Sequence, residues 1–406
     1  MLVKRALAAL LLLAAAGCRD AADSSAARTI VLWEQEDAAV APFLDGLFAE
    51  FKKIPGNADV VFSRAHYQNE DLRQQFQTAS IAGKPPDLLL SPSDAAGVYS
   101  VSGFLLPVDE LFDLGLYNKP VVEAVADGGK TWGIPMSNGN HLLLYYNKRL
   151  SPTPPATTDE LKRFCVTRAR ELKLPHCLAF NQGEPFWLMP WLGAFGGWPM
   201  EGRAPTLDTP AMSAALEFVL KMRDDHITPA ECDYNCMDSL FKESQAAFAI
   251  NGDWALPVYE RQLGKDLGVA KIPKLSATGR WPTPMVSGKY LMLSSALSGH
   301  KLDLVRRFVE FATSEKMQIA QVRQLRRLPA LTKAARSQAV RGDPLLRASM
   351  EQVLAGKPMP MATEMRAVWD ALRPVYAKVL TRRVSPADAA RLMQKDALGK
   401  IAEMNE

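Results

Sequence analysis

Five short apolar runs punctuate the chain, and longer stretches of helical periodicity lie between them. Thr29-Ile-Val-Leu-Trp33, Asp59-Val-Val-Phe62, Asp87-Leu-Leu-Leu90, His141-Leu-Leu-Leu-Tyr145 and Ala246-Ala-Phe-Ala-Ile250 read as short strands. Strands alternating with helices predict an α/β architecture. Some helix starts are marked chemically. Thr209 is placed to cap a helix that Pro210 opens, ahead of the stripe Leu216, Val219 and Leu220, and Ser385-Pro386 repeats the device. Leu304, Phe308 and Phe311 mark a further helix face. These stripes read as core faces without chemistry of their own. The Pro-rich Ser151-Pro-Thr-Pro-Pro-Ala156 predicts a turn inside a second lobe, with a lobe boundary just before it. After residue 28 there is no internal repeat and no apolar run long enough to span a bilayer.

The first residues break this pattern. Lys4-Arg5, an apolar run from Ala6 to Ala16 and then Gly17-Cys18 predict a bacterial lipoprotein signal over residues 1–17, with Cys18 lipidated as the mature first residue. Ala15 stands where the lipidation box usually carries Leu, so an ordinary secretory signal is the competing reading. Either one exports the chain. Residues 18–28 then read as a tether for a body held at the membrane by its lipidated start.

At 406 residues the chain exceeds the size at which one core stops growing, so two lobes are expected. Its 48% hydrophobic and 23% charged content is ordinary for a globular protein and excludes a bundle of membrane spans. The formal net charge of +4 loses two positive charges when Lys4 and Arg5 leave with the signal, which removes any global case for nucleic-acid binding. Arg323-Gln-Leu-Arg-Arg327 and Arg382-Arg383 read as solvated helix faces. Export also bears on the four remaining cysteines, because oxidising compartments favour bridges. Of three possible connectivities, the local one, Cys165–Cys177 with Cys232–Cys236, is expected. A four-cysteine zinc site is the competitor, with spacings unlike the usual knuckles.

Two clusters carry the densest chemistry: Asn181-Gln-Gly-Glu-Pro-Phe-Trp-Leu-Met-Pro-Trp191 and Ile250-Asn-Gly-Asp-Trp254. A pyranose has an apolar C–H face that packs on rings and a rim of hydroxyls that donate and accept, so its site needs rings and fixed polar groups together. Glu184, Phe186, Trp187, Asp253 and Trp254 supply both kinds, although such residues also serve as core and solvated surface. Catalytic signatures are missing: there is no H-E-x-x-H and no G-x-S-x-G, and the five histidines are scattered. Gly129-Lys130-Thr131 mimics the end of a phosphate loop without its first glycine and reads as a plain turn. Glu184 and Asp253 could instead be the acid and base of a lipoprotein glycosidase, which needs only two such carboxyls facing one sugar bond.

With these features in hand, the mature chain resembles the maltose-binding proteins of ABC importers, within the extracellular solute-binding family. The resemblance runs from about Thr29 to Ala402. Phe180-Asn-Gln-Gly-Glu-Pro-Phe186 through Gly196-Gly197, Phe248-Ala-Ile-Asn-Gly-Asp-Trp254, and Met359-Pro-Met through Val368-Trp369 carry most of it. Pro86-Asp-Leu-Leu-Leu-Ser-Pro-Ser-Asp94 and Tyr146-Asn-Lys-Arg-Leu-Ser-Pro-Thr-Pro-Pro155 add weaker support. It implies the two-lobe periplasmic-binding-protein fold of type II, with a hinged interlobe cleft at strand ends. The implied lobes are residues 29–139 with 286–340 and residues 140–285 with 341–406.

By the same resemblance, Asp37, Asp94, Glu184 and Arg373 would pair with ligand hydroxyls. Phe186, Trp254 and Trp369 would stack on sugar faces, with Met359 and Asn140 in the same cleft. Gln35 and Lys289 are further cleft neighbours, and Trp33 is placed in the core behind. Departures bear on the ligand. Ser91 stands where maltose binders of this type place a stacking Trp, Ala38 and Ala95 replace basic residues, Asn140 takes an acidic position, and Phe186 replaces a Tyr. Fewer partners imply a disaccharide or short maltooligosaccharide of the maltose or trehalose type, since a site is specific only for hydroxyls it can pair. The implied role is non-enzymatic delivery of that sugar in the periplasm to the permease subunits. A sugar sensor for a signalling receptor is the alternative that shares every cleft residue. Neither cofactor nor metal is called for, no nucleic acid is a partner, and a monomer anchored by its N-terminal lipid is expected.

Overall fold

The computed structural model describes residues 28–404, so the signal, most of the tether and the lipidation expected at Cys18 lie outside the described residues. Nine strands set the frame: β1 (Thr29–Glu34), β2 (Val61–His66), β3 (Leu88–Ser91), β4 (Ile134–Gly139), β5 (Leu142–Asn147), β6 (His176–Phe180), β7 (Ala246–Gly252), β8 (Leu267–Ala270) and β9 (Met285–Leu293). The first sheet runs β4-β9-β3-β1-β2, with Leu328–Pro329 on the outer edge of β4 and Lys357–Pro358 beside the start of β9. The second runs β8-β5-β7-β6. In the first sheet β1 pairs parallel to both β2 and β3, whereas β9 enters antiparallel between β3 and β4. Strands covered on both faces read as unbroken apolar runs, and all four residues of β3 are buried. The edge strand β2 shows the opposite pattern and is largely open to solvent.

Each sheet has its own core. One gathers side chains from Ile30 to Met136 and from Tyr290 to Ala334, with Met361; the other runs from Leu142 to Met285 and from Val340 to Ala397, with Val322 and Leu328. The two lobes are therefore each built from separated pieces of chain, and the main chain passes between them at three main places, with residues 357–361 touching the first sheet and core once more. The first is Asn140, between β4 and β5; the second is residues 271–284, between β8 and β9; the third follows Leu328–Pro329 and leads to the helix Pro344–Leu354. Helix starts follow the expected chemistry. The Thr209 hydroxyl accepts from the Met212 amide at the head of Pro210–Asp224, and the Ser385 hydroxyl accepts from the Asp388 amide at the head of Pro386–Met404. Lys130-Thr131 lies in a small hairpin with Gly128 and Gly129 at positive φ, a turn and not a phosphate loop. Both local disulfides are present, Cys165–Cys177 and Cys232–Cys236, so no thiolates remain for the four-cysteine zinc alternative.

Buried charge holds the crossings. At the first, the Asp253 carboxylate accepts hydrogen bonds from the amides of Asn140 at 3.2 Å and His141 at 3.4 Å, and the amide of Asp253 donates back to the His141 carbonyl at 3.0 Å. Gly139 has φ 144° at this point, and a side chain there would run into Asp253 Oδ2. At the third, two consecutive arginines point to opposite lobes. Arg326, in the left-handed region at φ 56°, donates to Asp343 at 2.5 Å and to Glu260 at 3.1 Å. Arg327, 9% exposed, pairs with Glu36 at 2.5 Å, and Lys289 reaches the same carboxylate at 3.2 Å. The expectation that Arg323 to Arg327 form a solvated face fails at Arg327, because a buried carboxylate far away in sequence takes the charge inside, and Arg326 is part-buried between Asp343 and Glu260. Arg382 does stay exposed, paired with Asp224.

Burial alone would push the Glu36 carboxyl up, but the charges and hydrogen bonds of Arg327 and Lys289 outweigh it and hold its pKa at about 2. A carboxylate whose folded pKa is depressed adds stability that is complete above its unfolded value near 4.5 and is lost as pH falls towards 2. Urea unfolding followed from pH 6 to pH 2 should therefore show a steep acid limb that flattens in Glu36→Gln. At pH 6 that variant should lose about 3–5 kcal/mol, since it leaves the buried Arg327 and the part-buried Lys289 without their carboxylate. Gly97 offers a second test. A methyl at that position would collide with the Met361 carbonyl oxygen, where helix Ala96–Val101 meets residues 361–363. Gly97→Ala should cost about 1–3 kcal/mol in the same measurement, the usual range for overpacking.

Candidate functional site

The space between the lobes is lined from both sides. From the first lobe, Asp37 stands in the turn that leaves the carboxyl end of β1, and Asp94 in the turn that leaves β3. Open α/β sheets expose ligand groups at such strand ends because the following turns are free of the ladder. From the second lobe come Glu184 and Phe186 after β6, Trp254 after β7, Asn140 at the first crossing, and Met359, Trp369 and Arg373 from residues 359–373. All nine residues named from the sequence line one cavity of about 430 Å³. Gln35 and Lys289 line it as well, whereas Trp33 is half-buried against Tyr67, 5.0 Å between ring centroids, and is not in the lining.

The aromatic wall is a connected set. Trp187 is anchored by its indole N–H, which donates to the Ile250 carbonyl at 2.8 Å, and its ring meets Phe186 at 5.8 Å and Trp254 at 6.3 Å, both edge-on. Phe186 and Trp254 face the cavity tilted to each other at 6.4 Å. The indole of Trp254 folds back over Gly252, where any side chain would strike the ring. The run Asn251-Gly-Asp-Trp254 thus splits its duties: glycine makes room for the ring, aspartate clamps the crossing, and tryptophan faces the cleft. Trp369 differs, being 7% exposed and packed in the second core, with its face beneath the Arg373 guanidinium at 5.8 Å.

Asp253 is the correction here. It is 6% exposed, committed to the amides of Asn140 and His141, and absent from the cavity lining, so it cannot face a sugar bond opposite Glu184 as the glycosidase alternative requires. Ser91, in place of a stacking ring, is buried in β3 opposite Tyr290 and contributes nothing to the cleft.

Several lining residues escaped the sequence reading. Glu36, Glu70, Arg73, Tyr99, Arg327, Met365 and Arg366 all border the cavity. Arg366, Trp369 and Arg373 lie on one stripe of the helix Glu364–Leu380, at spacings of three and four residues, and that stripe was the available signal. The lining charges largely satisfy one another. Glu184 pairs with Arg373 at 3.3 Å, while Glu70 pairs with Arg73 and with Arg366, each at 2.8 Å. Asp94 has no ion-pair partner among the described residues, and burial pushes its carboxyl above the ordinary range. Asp37 likewise makes no ion pair among the described residues and remains exposed.

A family model described as bacterial extracellular solute-binding protein matches residues 46–348. The chain is 26% identical over 374 residues to the maltotriose-binding protein of Pyrococcus abyssi, covering 90% of this chain and 80% of that protein. It is 25% identical over 335 residues to a maltooligosaccharide ABC transporter solute-binding lipoprotein of Streptococcus pneumoniae, covering 79% and 77%. Among solved structures, the maltose/maltodextrin-binding domain from Bdellovibrio bacteriovorus bound to maltotriose superposes with a TM-score of 0.82 at 34% identity, over 92% of this chain and all of that one. The type II two-lobe fold with a hinged cleft is therefore this chain's architecture, and its relatives are binding proteins, not enzymes. With lobes, crossings and cleft so arranged, the chain belongs to the bacterial extracellular solute-binding protein family.

Proposed function

We propose that this protein is the sugar-binding component of an ABC importer, taking a short maltooligosaccharide or disaccharide in the interlobe cleft and delivering it unaltered to the permease subunits. The observation that carries the reading is the lining itself: half-buried rings of Phe186 and Trp254 opposite the unpaired carboxylates of Asp37 and Asp94. Rings take the C–H faces of a pyranose and carboxylates accept from its hydroxyls. At about 430 Å³ the cavity lies in the range of small-ligand sites, roughly 300–1,000 Å³. Relatives named for maltotriose and maltooligosaccharides support the α-glucan class.

In this reading Asp37, Asp94, Asn140, Glu184 and Arg373 pair with hydroxyls, Phe186, Trp254 and Trp369 supply ring faces, and Met359 closes the apolar wall. The lobes are residues 29–139 with 286–340 and residues 140–285 with 341–406. Sugar favours the closed form by touching both lobes at once, and the permease reads that form. The chain works as a monomer in the periplasm, lipid-anchored through Cys18. A homologue named as a lipoprotein supports the anchor.

Calorimetry with glucose, maltose, trehalose, maltotriose and maltotetraose tests this directly. Binding of at least one α-glucan is expected, and heat from none of them would overturn the proposal. Trp254→Ala should weaken the best ligand at least about tenfold, in keeping with a lost hot-spot ring. The melting temperature of the ligand-free protein should barely move, because Trp254 is only half-buried. Trp369→Ala should lower both, since that ring is also part of the second core.

A further inference from the structure

The disulfide Cys232–Cys236 has no part in the binding reading above, yet it brackets Tyr234, which touches the aromatic wall. It reaches from the residue before the Asp233 cap to the third residue of the helix Tyr234–Lys242, spanning that helix's first turn. Helix starts lack intrahelical partners for their amides and fray. Here the turn is fixed at both ends. Asp233 accepts from the Cys236 amide at 2.9 Å, and the Cys232 carbonyl accepts from the Gln182 amide at 2.9 Å, just ahead of Glu184 and Phe186. Between the two cysteines stands Tyr234. Its hydroxyl accepts the indole N–H of Trp254 at 3.1 Å, and its ring meets Trp187 edge-on at 6.1 Å.

Trp254 is therefore set from two sides, by Gly252 beneath the ring and by Tyr234 at its polar edge. A ring platform contributes to affinity in proportion to how well its plane is held before the ligand arrives. We propose that the Cys232–Cys236 disulfide is a positioning element of the sugar site: it holds the first helical turn, the turn holds Tyr234, and Tyr234 sets the plane of Trp254. Sugar affinity then depends on the oxidation state of this bridge. The inference rests on the sugar-binding reading. The other bridge, Cys165–Cys177, ties the helix Thr158–Val166 to the start of β6, and neither cysteine lines the cleft. It serves as an internal control.

The experiment measures maltotriose binding by calorimetry, with tryptophan emission recorded in parallel, on the wild type, Cys232→Ser/Cys236→Ser, Cys165→Ser/Cys177→Ser, Tyr234→Phe, and Tyr234→Phe combined with the first pair. Losing either the bridge or the Tyr234 hydroxyl should weaken binding about fivefold, the worth of one hydrogen bond, and should shrink the sugar-induced change in emission. The combined variant should lose no more than either alone, because both act through Trp254. Removing the control bridge should lower the melting temperature and leave the Kd unchanged. Unchanged affinity in Tyr234→Phe, which keeps both bridges and so is independent of any folding defect, would overturn the inference. So would losses that multiply in the combined variant. A wild type that binds no sugar of the panel would instead overturn the parent reading.

Discussion

A cleft between two lobes exists only if the chain can cross between them without merging their cores, and here buried charge enforces that separation. Asp253 belongs to the second lobe but spends its carboxylate on the amides of Asn140 and His141, where the chain leaves the first. Beside it His141 is fully buried, 3.7 Å from Asp253 and 3.3 Å from the Ser349 hydroxyl on the helix that follows the third crossing. Burial depresses its pKa against the pull of Asp253, so the imidazole is neutral at neutral pH. Arg326 and Arg327 complete the arrangement by clasping one lobe each. Directional, charge-assisted bonds at a few residues survive a rotation about those residues, whereas a continuous apolar core across the junction would resist it.

The aromatic wall shows why ring content alone does not define a binding site. Trp187, Trp254 and Trp369 all border the cavity, yet they do different work. Trp187 is buried and hydrogen-bonded to β7, so it supports the wall. Trp369 is mostly core, and its ring face lies beneath a guanidinium. Trp254 alone of the three is half-buried, with one face open and the other resting on glycine backbone. Exposure of a ring face that the protein has paid to hold in place is the property that separates a platform from a packing residue.

How much of this was legible in the sequence depended on whether local pattern and tertiary environment agreed. The apolar strands β3, β5 and β7 announced themselves because burial on both faces demands unbroken Leu, Val and Ala, while β1 shows the same apolar run with alternating burial. By contrast, β4 and β9 are buried too, but carry Ser137-Asn-Gly139 and Ser287-Gly-Lys289, whose polar groups are satisfied across the sheet: Ser93 with Ser287 at 2.8 Å, and the Lys289 amide with the Ser137 hydroxyl at 3.2 Å. No local pattern reports such pairing. Arg327 misled for the same reason, its partner Glu36 lying 291 residues away. Asp253 misled by resemblance of type: a carboxylate next to a tryptophan suits a ligand or a hinge equally, and only three-dimensional placement assigns it to the hinge.

The electrostatics of the cleft narrow the ligand further than its shape does. Glu36, Glu70 and Glu184 are each neutralised by arginine or lysine in the same lining, so their charges are spent within the protein. What remains is Asp37 and Asp94, which make no direct ion pair among the described residues and feel Lys289 and Arg327 only at longer range, together with the ring faces. Five carboxylates and five bases line the cavity, so a charged ligand would disturb a balanced set, and an apolar ligand would strip water from Asp37 and Asp94 without returning a donor. A neutral polyol does neither, since each hydroxyl it loses from water finds an acceptor in the lining and its C–H face finds a ring. Preference for an uncharged sugar thus follows from a lining whose charges already balance within the protein.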